Sequence, residues 1–259
     1  MAVNSNSVAE DYARWRPGFP QWVFDRLAKI GVTGPGLRIL DLGAGTGQFA
    51  RGLARHGAAI TGIDPSPQLL QTARRLDAEA HLRLHYITGH AEDTGLPGPS
   101  FNMVTAAQCW HWFNSPKAMA EARRLLFPNG RLVICHFDTL PKPGSIVAAT
   151  EQLIRNYIPQ WKRPGVEGRY PQWKIDAEAT GFLDVETFEE EEIVSISHGD
   201  WHGRMRSSEG VGENLTSDKL AAFDRDLASM MAREFPQQPL QVPHRLWCFM
   251  ARNPRRDLS

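Results

Sequence analysis

Three glycines at alternate positions, following an apolar run, are the part of this chain best suited to chemistry. The segment is Ile39-Leu40-Asp41-Leu42-Gly43-Ala44-Gly45-Thr46-Gly47. Glycine lets the backbone turn tightly and lets a ligand approach without a Cβ in the way. A second apolar run, Ile60-Thr61-Gly62-Ile63-Asp64, ends in an acid. Asp64 lies 64 − 41 = 23 residues beyond Asp41, close to the ~20-residue offset at which a carboxylate grips ribose hydroxyls. The plainer alternative is a strand-end acid capping the helix that starts near Pro65. The loop fits neither common phosphate binder. A dinucleotide fingerprint wants G-x-G-x-x-G, whereas here the third glycine is Gly47 and position 48 is Gln; a phosphate loop wants Gly-Lys-Ser/Thr, and no Lys follows.

Other residues could act on a substrate. Trp110-His111-Trp112-Phe113 follows an apolar run, so Trp110 and Trp112 could wall a pocket with His111 as general base; the competing reading is that these aromatics only fill the core. Arg204 and Arg206, with Arg14 and Arg16 near the N-terminus, could clamp a carboxylate, for which the guanidinium fork is well shaped; solvated arginines are the commoner case. His198 and His202 are four apart, but no acidic or Cys partner stands at ligand spacing and no H-E-x-x-H occurs, so no metal site is expected.

The elements that must position these groups alternate in type. Apolar runs at Arg38–Leu42, Ala59–Ile63, Leu82–Thr88, Phe101–Ala107 and Arg131–Phe137 read as strands. Helical patterns fall at Gln48–Arg55, Pro67–Leu76 and Pro116–Leu126, and an apolar stripe at Pro20–Ile30 precedes them. Such alternation implies parallel βαβ units with helices on both faces of the sheet. After Phe137 the rhythm changes. Asp138–Pro171 is rich in Pro, Gly and aromatics, Phe182–Val194 is strand-like but broken by the acidic run Glu189–Glu192, which reads as a solvated edge or turn, His198–Phe235 is largely helical, and Val242–Ala251 is a last strand.

With these motifs in order, the chain resembles the class I S-adenosylmethionine-dependent methyltransferases. "DLGAGTG" is similar to their first motif, "GIDPSPQLL" to the strand-two acid and its helix, "ITGHAEDTGLPGPSFNMV" to the third-strand loop, and "FPNGRLVI" to the turn into strand five. The resemblance spans about Tyr12 to Phe137. "YARWRPGFP" and "AQCWHWF" look closest to the small-molecule branch that includes trans-aconitate-type methyltransferases. Asn102 departs from the family, which often has Asp there, at a position that usually serves the strand edge.

The resemblance implies S-adenosylmethionine as cofactor and a methyl transfer to a small-molecule acceptor, with a carboxylate oxygen as the leading acceptor atom. It implies that Asp41, Gly43, Ala44, Gly45 and Gly47 shape the methionine side of the pocket and that Asp64, beside Pro65, holds the ribose. Ala91 and Glu92 would flank the adenine, and Gln108 would lie near the sulfonium. Tyr12 and Arg16 would close over the methionyl carboxylate or the substrate. The fold it implies is α/β, a doubly wound Rossmann-like sheet, mainly parallel with an antiparallel last strand, helices on both faces and an elaborated C-terminal lid region. The expected organisation is one methyltransferase domain over 1–259, with an N-terminal arm (1–30), a cofactor-binding core (37–137), a substrate-side elaboration (138–235) and a last strand (241–251). Methyl transfer from a positive sulfur needs no metal or strong acid, and positioning alone supplies roughly 7–11 kcal/mol of the barrier, so the want of a catalytic triad is expected. The rivals are a nicotinamide-dependent oxidoreductase, disfavoured by the fingerprint spacing, and a catalytically idle adenosylmethionine-binding module.

Composition narrows the partners. Lys plus Arg and Asp plus Glu are each 29, so no net field gathers polyanions and nucleic acid is not expected. The cysteines Cys109, Cys135 and Cys248 lack C-x-x-C spacing, which suits free thiols in a reducing compartment. No signal peptide or 18-residue apolar run is present, so a cytoplasmic monomer or homodimer, away from membranes, is expected.

Overall fold

A computed structural model describes residues 18–163, 165, 167–206, 211–212 and 214–254. Seven strands form one sheet in the order β3-β2-β1-β4-β5-β7-β6. They are β1 (Arg38–Leu42), β2 (Ala59–Asp64), β3 (His85–Thr88), β4 (Phe101–Ala107), β5 (Leu126–Thr139), β6 (Leu183–Ile196) and β7 (Leu240–Arg252). β1 pairs in parallel with β2 and β4, β2 with β3, and β4 with β5; the last strands are antiparallel. This is a doubly wound, Rossmann-like α/β sheet, and its order reverses at β1, where the chain crosses from one flank to the other. Ligands of such sheets bind at that switch point, beyond the C-terminal ends of the strands.

The chain divides into two compact units, and passes between them within β5, β6 and β7. The first comprises residues 18–136, 170–188 and those from Trp247 on. It holds α1 (Gln21–Lys29), α2 (Gln48–Ala54), α3 (Pro67–Glu79), α4 (Ser115–Leu125) and α6 (Gln172–Thr180), the label α5 belonging to Ile146–Tyr157. β1 and β4 are buried almost end to end, as strands covered on both faces must be. Leu40, Leu42, Val104 and Ile134 pack with Met119, Ala122 and Leu125 of α4 and Trp173 and Ala177 of α6. A separate cluster joins Ala44, Tyr86, and Leu70 and Ala73 of α3.

Local chemistry sets the helix starts. Ser66 Oγ accepts from Leu69 N with Pro67 at the first turn of α3, and Asn114 Oδ1 accepts from Lys117 N ahead of Pro116 in α4. Asn102, the departure from the family pattern, serves the strand edge: its Oδ1 accepts from Arg38 N at 2.9 Å.

The second unit comprises residues 137–169 and 189–246 as far as described. It holds α5, α7 (His198–Arg206) and α8 (Ser217–Glu234), around Ile146, Ile154, Trp201, Phe223, Leu227 and Met231. α5 stands in the Pro- and Gly-rich stretch, where the sequence reading gave no element. One sequence reading is corrected here: Phe182–Val194, read as broken by the acidic run, belongs to one continuous 14-residue strand, and of the two alternatives for Glu189–Glu192 the structure bears out the edge and not the turn. That strand is at the sheet edge, and Arg169 grips Glu189 with paired 2.6 Å bonds while Lys142 and Arg245 both bind Glu191. Among the described residues no helix is long and apolar enough to cross a membrane.

Candidate active site

β1 delivers Asp41 to the switch point and then turns. Gly43, Gly45 and Gly47 all adopt positive φ (65°, 53° and 75°), a region that costs other L-residues roughly 1–2 kcal/mol. The three are required for different reasons. A Cβ on Gly43 would lie 2.7 Å from Cys109 Sγ and 3.1 Å from Phe113, so this glycine lets the segment after β4 close onto the loop. A Cβ on Gly47 would overlap the Tyr86 hydroxyl and lie 3.1 Å from Ala73. A Cβ on Gly45 would meet nothing within 4 Å. Gly45 is thus the point where backbone faces open space, as a close-approaching ligand requires.

The loop is fastened to β2 by Asp64. Its Oδ2 accepts from Gly45 N at 2.9 Å and its Oδ1 from Ser66 N at 2.9 Å. The cap of α3 is Ser66, so the helix-cap alternative for Asp64 falls away. Each carboxylate oxygen keeps a second lone pair. Asp41 is 1 % exposed and Asp64 6 %. Thr105 Oγ1 donates to Asp41 Oδ1 at 2.8 Å. Burial pushes the Asp41 carboxyl up to about 7, against the lowering effect of the Thr105 bond, and the Asp64 charge adds to the rise. Burial also raises Asp64, against the two backbone N–H groups that favour its ionised form.

Gln108 follows β4 with φ +60°, and its N–H donates to Cys135 O at 3.0 Å. A left-handed non-glycine residue at a strand end is strained, and such strain concentrates at functional sites. Cys109 Sγ then donates to Leu42 O at 3.2 Å, so Gln108 and Cys109 are tied to strands on both sides of β4. The 3₁₀ turn Trp110–Trp112 comes next. Trp110 is wholly buried, its Nε1 donating to Ser115 Oγ, which itself donates to Asp176; it is a core residue supporting the turn. Trp112 is 48 % exposed. His111 lies between, with ring centroids 4.7 Å from Trp112 and 5.4 Å from His136. Glu92 Oε1 accepts from Asn114 N at 2.8 Å, tying the loop after β3 to this turn, while Ala91 is buried in the core. Pro65 is exposed between Asp64 and Ser66.

Asp41, Gly43, Ala44, Gly45, Gly47, Asp64, Pro65, Ala91, Glu92, Gln108, Trp110, His111 and Trp112 all belong to the first unit. Arg204 and Arg206 belong to the second. There Arg206 Nη1 is 3.5 Å from Asp224 Oδ2, and Arg204 Nη1 is 3.2 Å from His244 Nε2. Burial first, and then Arg204, pushes His244 down to about 4, so a neutral ring faces that guanidinium. Tyr12, Arg14 and Arg16, and the greater part of the 1–30 arm, lie outside the described residues. His136 was missed from sequence. It is wholly buried near the end of β5, beside Tyr170 at 4.4 Å and Trp173 at 5.1 Å. The available signal was a histidine in the otherwise apolar run Leu132–Phe137. Among the described residues, no three His, Cys, Asp or Glu side chains are grouped to hold a metal ion.

An exposed glycine backbone, a buried acid pair and a strained strand end suit a ligand with a cationic centre and a hydroxylated sugar. Residues 40–134 match the family model described as a methyltransferase domain. An uncharacterized methyltransferase of Mycobacterium tuberculosis is 34 % identical over 132 residues, covering 51 % of this chain and 51 % of the relative. The demethylmenaquinone methyltransferase of Tropheryma whipplei is 39 % identical over 132 residues, covering 50 % and 52 %. The chain thus spans about half the length of these curated relatives. A candidate type II methyltransferase of Anaeromyxobacter dehalogenans shares the fold, with a TM-score of 0.65 at 24 % identity over 93 % of this chain and 99 % of that one. In its ordered motifs, in residues 40–134, which match the methyltransferase-domain model, and in its fold, the chain is similar to the class I S-adenosylmethionine-dependent methyltransferases.

Proposed function

We propose that this protein transfers the methyl group of S-adenosylmethionine to a small-molecule acceptor. The observation that carries the reading is the loop Gly43–Gly47, open at Gly45 and bound through Gly45 N to the Asp64 carboxylate. In this reading the glycine loop and Asp41 receive the methionine side, Asp64 accepts from the ribose hydroxyls, Ala91 and Glu92 flank the adenine, and Gln108 lies toward the sulfur. The cofactor supplies an activated methyl carbon. The chain's own work is to orient the acceptor, exclude water and, for a hydroxyl or amine acceptor, take a proton at His111. We assign acceptor recognition to the substrate-side elaboration, residues 138–235. The leading acceptor atom is a carboxylate oxygen, for which Arg204 and Arg206 provide guanidinium groups. A second reading, a flat ring acceptor, is favoured by the half-exposed face of Trp112 beside His111 and by the Tropheryma relative, which is named for a demethylmenaquinone.

Calorimetry with S-adenosylmethionine, S-adenosylhomocysteine and NAD tests the cofactor. Both sulfur compounds should bind and NAD should not; tight NAD binding without either of the others rejects the proposal. A methyl-release screen against small carboxylic acids, phenols and amines, read as S-adenosylhomocysteine formed, separates the acceptor readings and tells an enzyme from an idle binding module.

Asp64→Ala should weaken binding of both sulfur compounds equally, by about 1.5–3 kcal/mol, because the ribose they share loses a charged partner. Asp64→Asn, which keeps an acceptor oxygen for one backbone N–H, should fall between. Unchanged affinity in the alanine variant would limit Asp64 to fastening the loop.

A further inference from the structure

β1, β2 and β3 run parallel, so the segments that follow them leave the sheet at one edge. The segment after β3, residues 89–96, begins on the acid assigned to the ribose: Gly89 N donates to Asp64 O at 3.2 Å. It carries Ala91, Glu92 and Asp93, and a bridge between His90 and Asp93 closes it on itself. Connections of this kind are ordinarily the more mobile parts of a fold. Here α4 fixes the segment at three points. Asn114 N, at the cap of α4, donates to Glu92 Oε1 at 2.8 Å. Glu121, 8 % exposed, accepts at Oε1 from Thr94 N at 3.0 Å and also from Thr94 Oγ1. Arg124 grips both oxygens of Glu121, Nε to Oε2 at 2.6 Å and Nη2 to Oε1 at 2.7 Å, and Nη2 also donates to Leu96 O at 2.8 Å. Burying an acid costs stability unless its oxygens are paired, and an apolar side chain of like volume often stabilises as well. What the acid supplies beyond stability is a fixed place for Thr94.

A fixed place matters to a base. Adenine presents an exocyclic amine, a donor, where a 6-oxo purine presents an acceptor. Ionised carboxylates only accept, and Glu92 and Asp93 bring two of them on this segment. A site that hydrogen-bonds an amine rejects the analogue lacking it, provided that its groups are held to about 0.5 Å. We propose that Glu121 is a positioning residue for the nucleobase: through Thr94 it holds residues 89–96 in place and so sets the preference of the site for adenine over a 6-oxo purine. This inference rests on the cofactor reading above, in which Ala91 and Glu92 flank the adenine, and deepens it.

Calorimetry on the full chain compares three probes. They are S-adenosylhomocysteine, 5′-methylthioadenosine, which keeps the nucleoside and lacks the amino acid, and S-inosylhomocysteine, which carries the 6-oxo base. The wild type should bind both adenine compounds and bind S-inosylhomocysteine more weakly. Glu121→Ala should lose about tenfold in affinity for each adenine compound, by the same factor, because both share the base. It should lose little for S-inosylhomocysteine, so the preference shrinks. Glu121→Gln keeps an oxygen for Thr94 and should restore most of the preference. A merely structural Glu121 would weaken all three probes together; an unchanged preference in Glu121→Ala therefore overturns the inference. So does a wild type that binds the adenine and 6-oxo compounds equally, and in both cases the methyltransferase reading stands. If Glu121→Ala does not fold, Thr94→Val decides, since it removes the hydroxyl and leaves the Glu121–Arg124 pair: it should narrow the preference, and an unchanged preference overturns the inference. A wild type that binds neither S-adenosylhomocysteine nor S-adenosylmethionine overturns the methyltransferase reading and this inference with it.

Discussion

Gly47→Val should lower the stability of the protein by roughly 2–5 kcal/mol and abolish cofactor binding. Three effects add. A β-branched residue at φ +75° is a backbone outlier worth about 1–2 kcal/mol. The new side chain would occupy space held by the Tyr86 hydroxyl, Arg51 Nη1 (2.8 Å) and Ala73 Cβ (3.1 Å), and overpacking of a filled core costs about 1–3 kcal/mol. Moving Arg51 also disturbs its buried pair with Asp77, whose side chains are 11 % and 5 % exposed, and strands a carboxylate in the core. Urea titration should show a lower midpoint with an unchanged slope. Gly45→Ala is the useful contrast. Its Cβ meets no protein atom, so stability should drop only by the backbone strain of about 1–2 kcal/mol, while cofactor affinity falls by more than in any variant that leaves the loop surface open. If Gly47→Val unfolds at the wild-type midpoint, the packing described for the loop is wrong.

That contrast could not be drawn from sequence, although the loop itself was plain there. Alternating glycines after an apolar run specify a tight turn whatever surrounds it, and β1, β4 and the start of β2 lie where the apolar periodicity places them because buried strands leave an unambiguous pattern. Which glycine faces a ligand and which faces Tyr86 depends on β3 and α3, elements remote in the chain. The same holds elsewhere. Phe127-Pro128-Asn129-Gly130 has the composition of a turn, yet it lies within β5, because Asn253 beyond β7 exchanges backbone hydrogen bonds with Asn129 and Gly130. α5 carries a helical apolar stripe and a Ser145 cap, but Pro141, Pro143 and Gly144 just before it dominate the local composition. The glutamates of β6 read as a solvated run, since Lys142, Arg169 and Arg245, which bind them, come from three separate segments. At the site, the types and spacing of Asp41 and Asp64 were visible, but not that both are buried. His136 was hidden by its apolar surroundings, although its ring lies 5.4 Å from that of His111.

Asp41→Asn should raise stability at alkaline pH and leave it unchanged in acid, the reverse of what loss of a salt-bridged acid does. The Asp41 carboxyl titrates near 7 in the folded chain and near 3.8 when unfolded. Between those values the folded state binds the extra proton, so stability falls as pH rises through this window. Below about pH 4 both states are protonated and Asp41 carries no electrostatic penalty. Above about pH 7 the penalty is complete, on the order of 2–4 kcal/mol for a buried carboxylate shifted this far. Asparagine is neutral throughout and keeps an oxygen for the Thr105 hydroxyl, now 2.8 Å from Asp41 Oδ1. Urea midpoints should therefore coincide at pH 4 and separate by pH 8, with the variant the more stable. Parallel curves at all pH values, or a variant weaker at pH 8, would mean that Asp41 is ionised and compensated in the folded chain. A residue that destabilises the protein where it is charged is the kind of conflict between stability and function found at ligand sites.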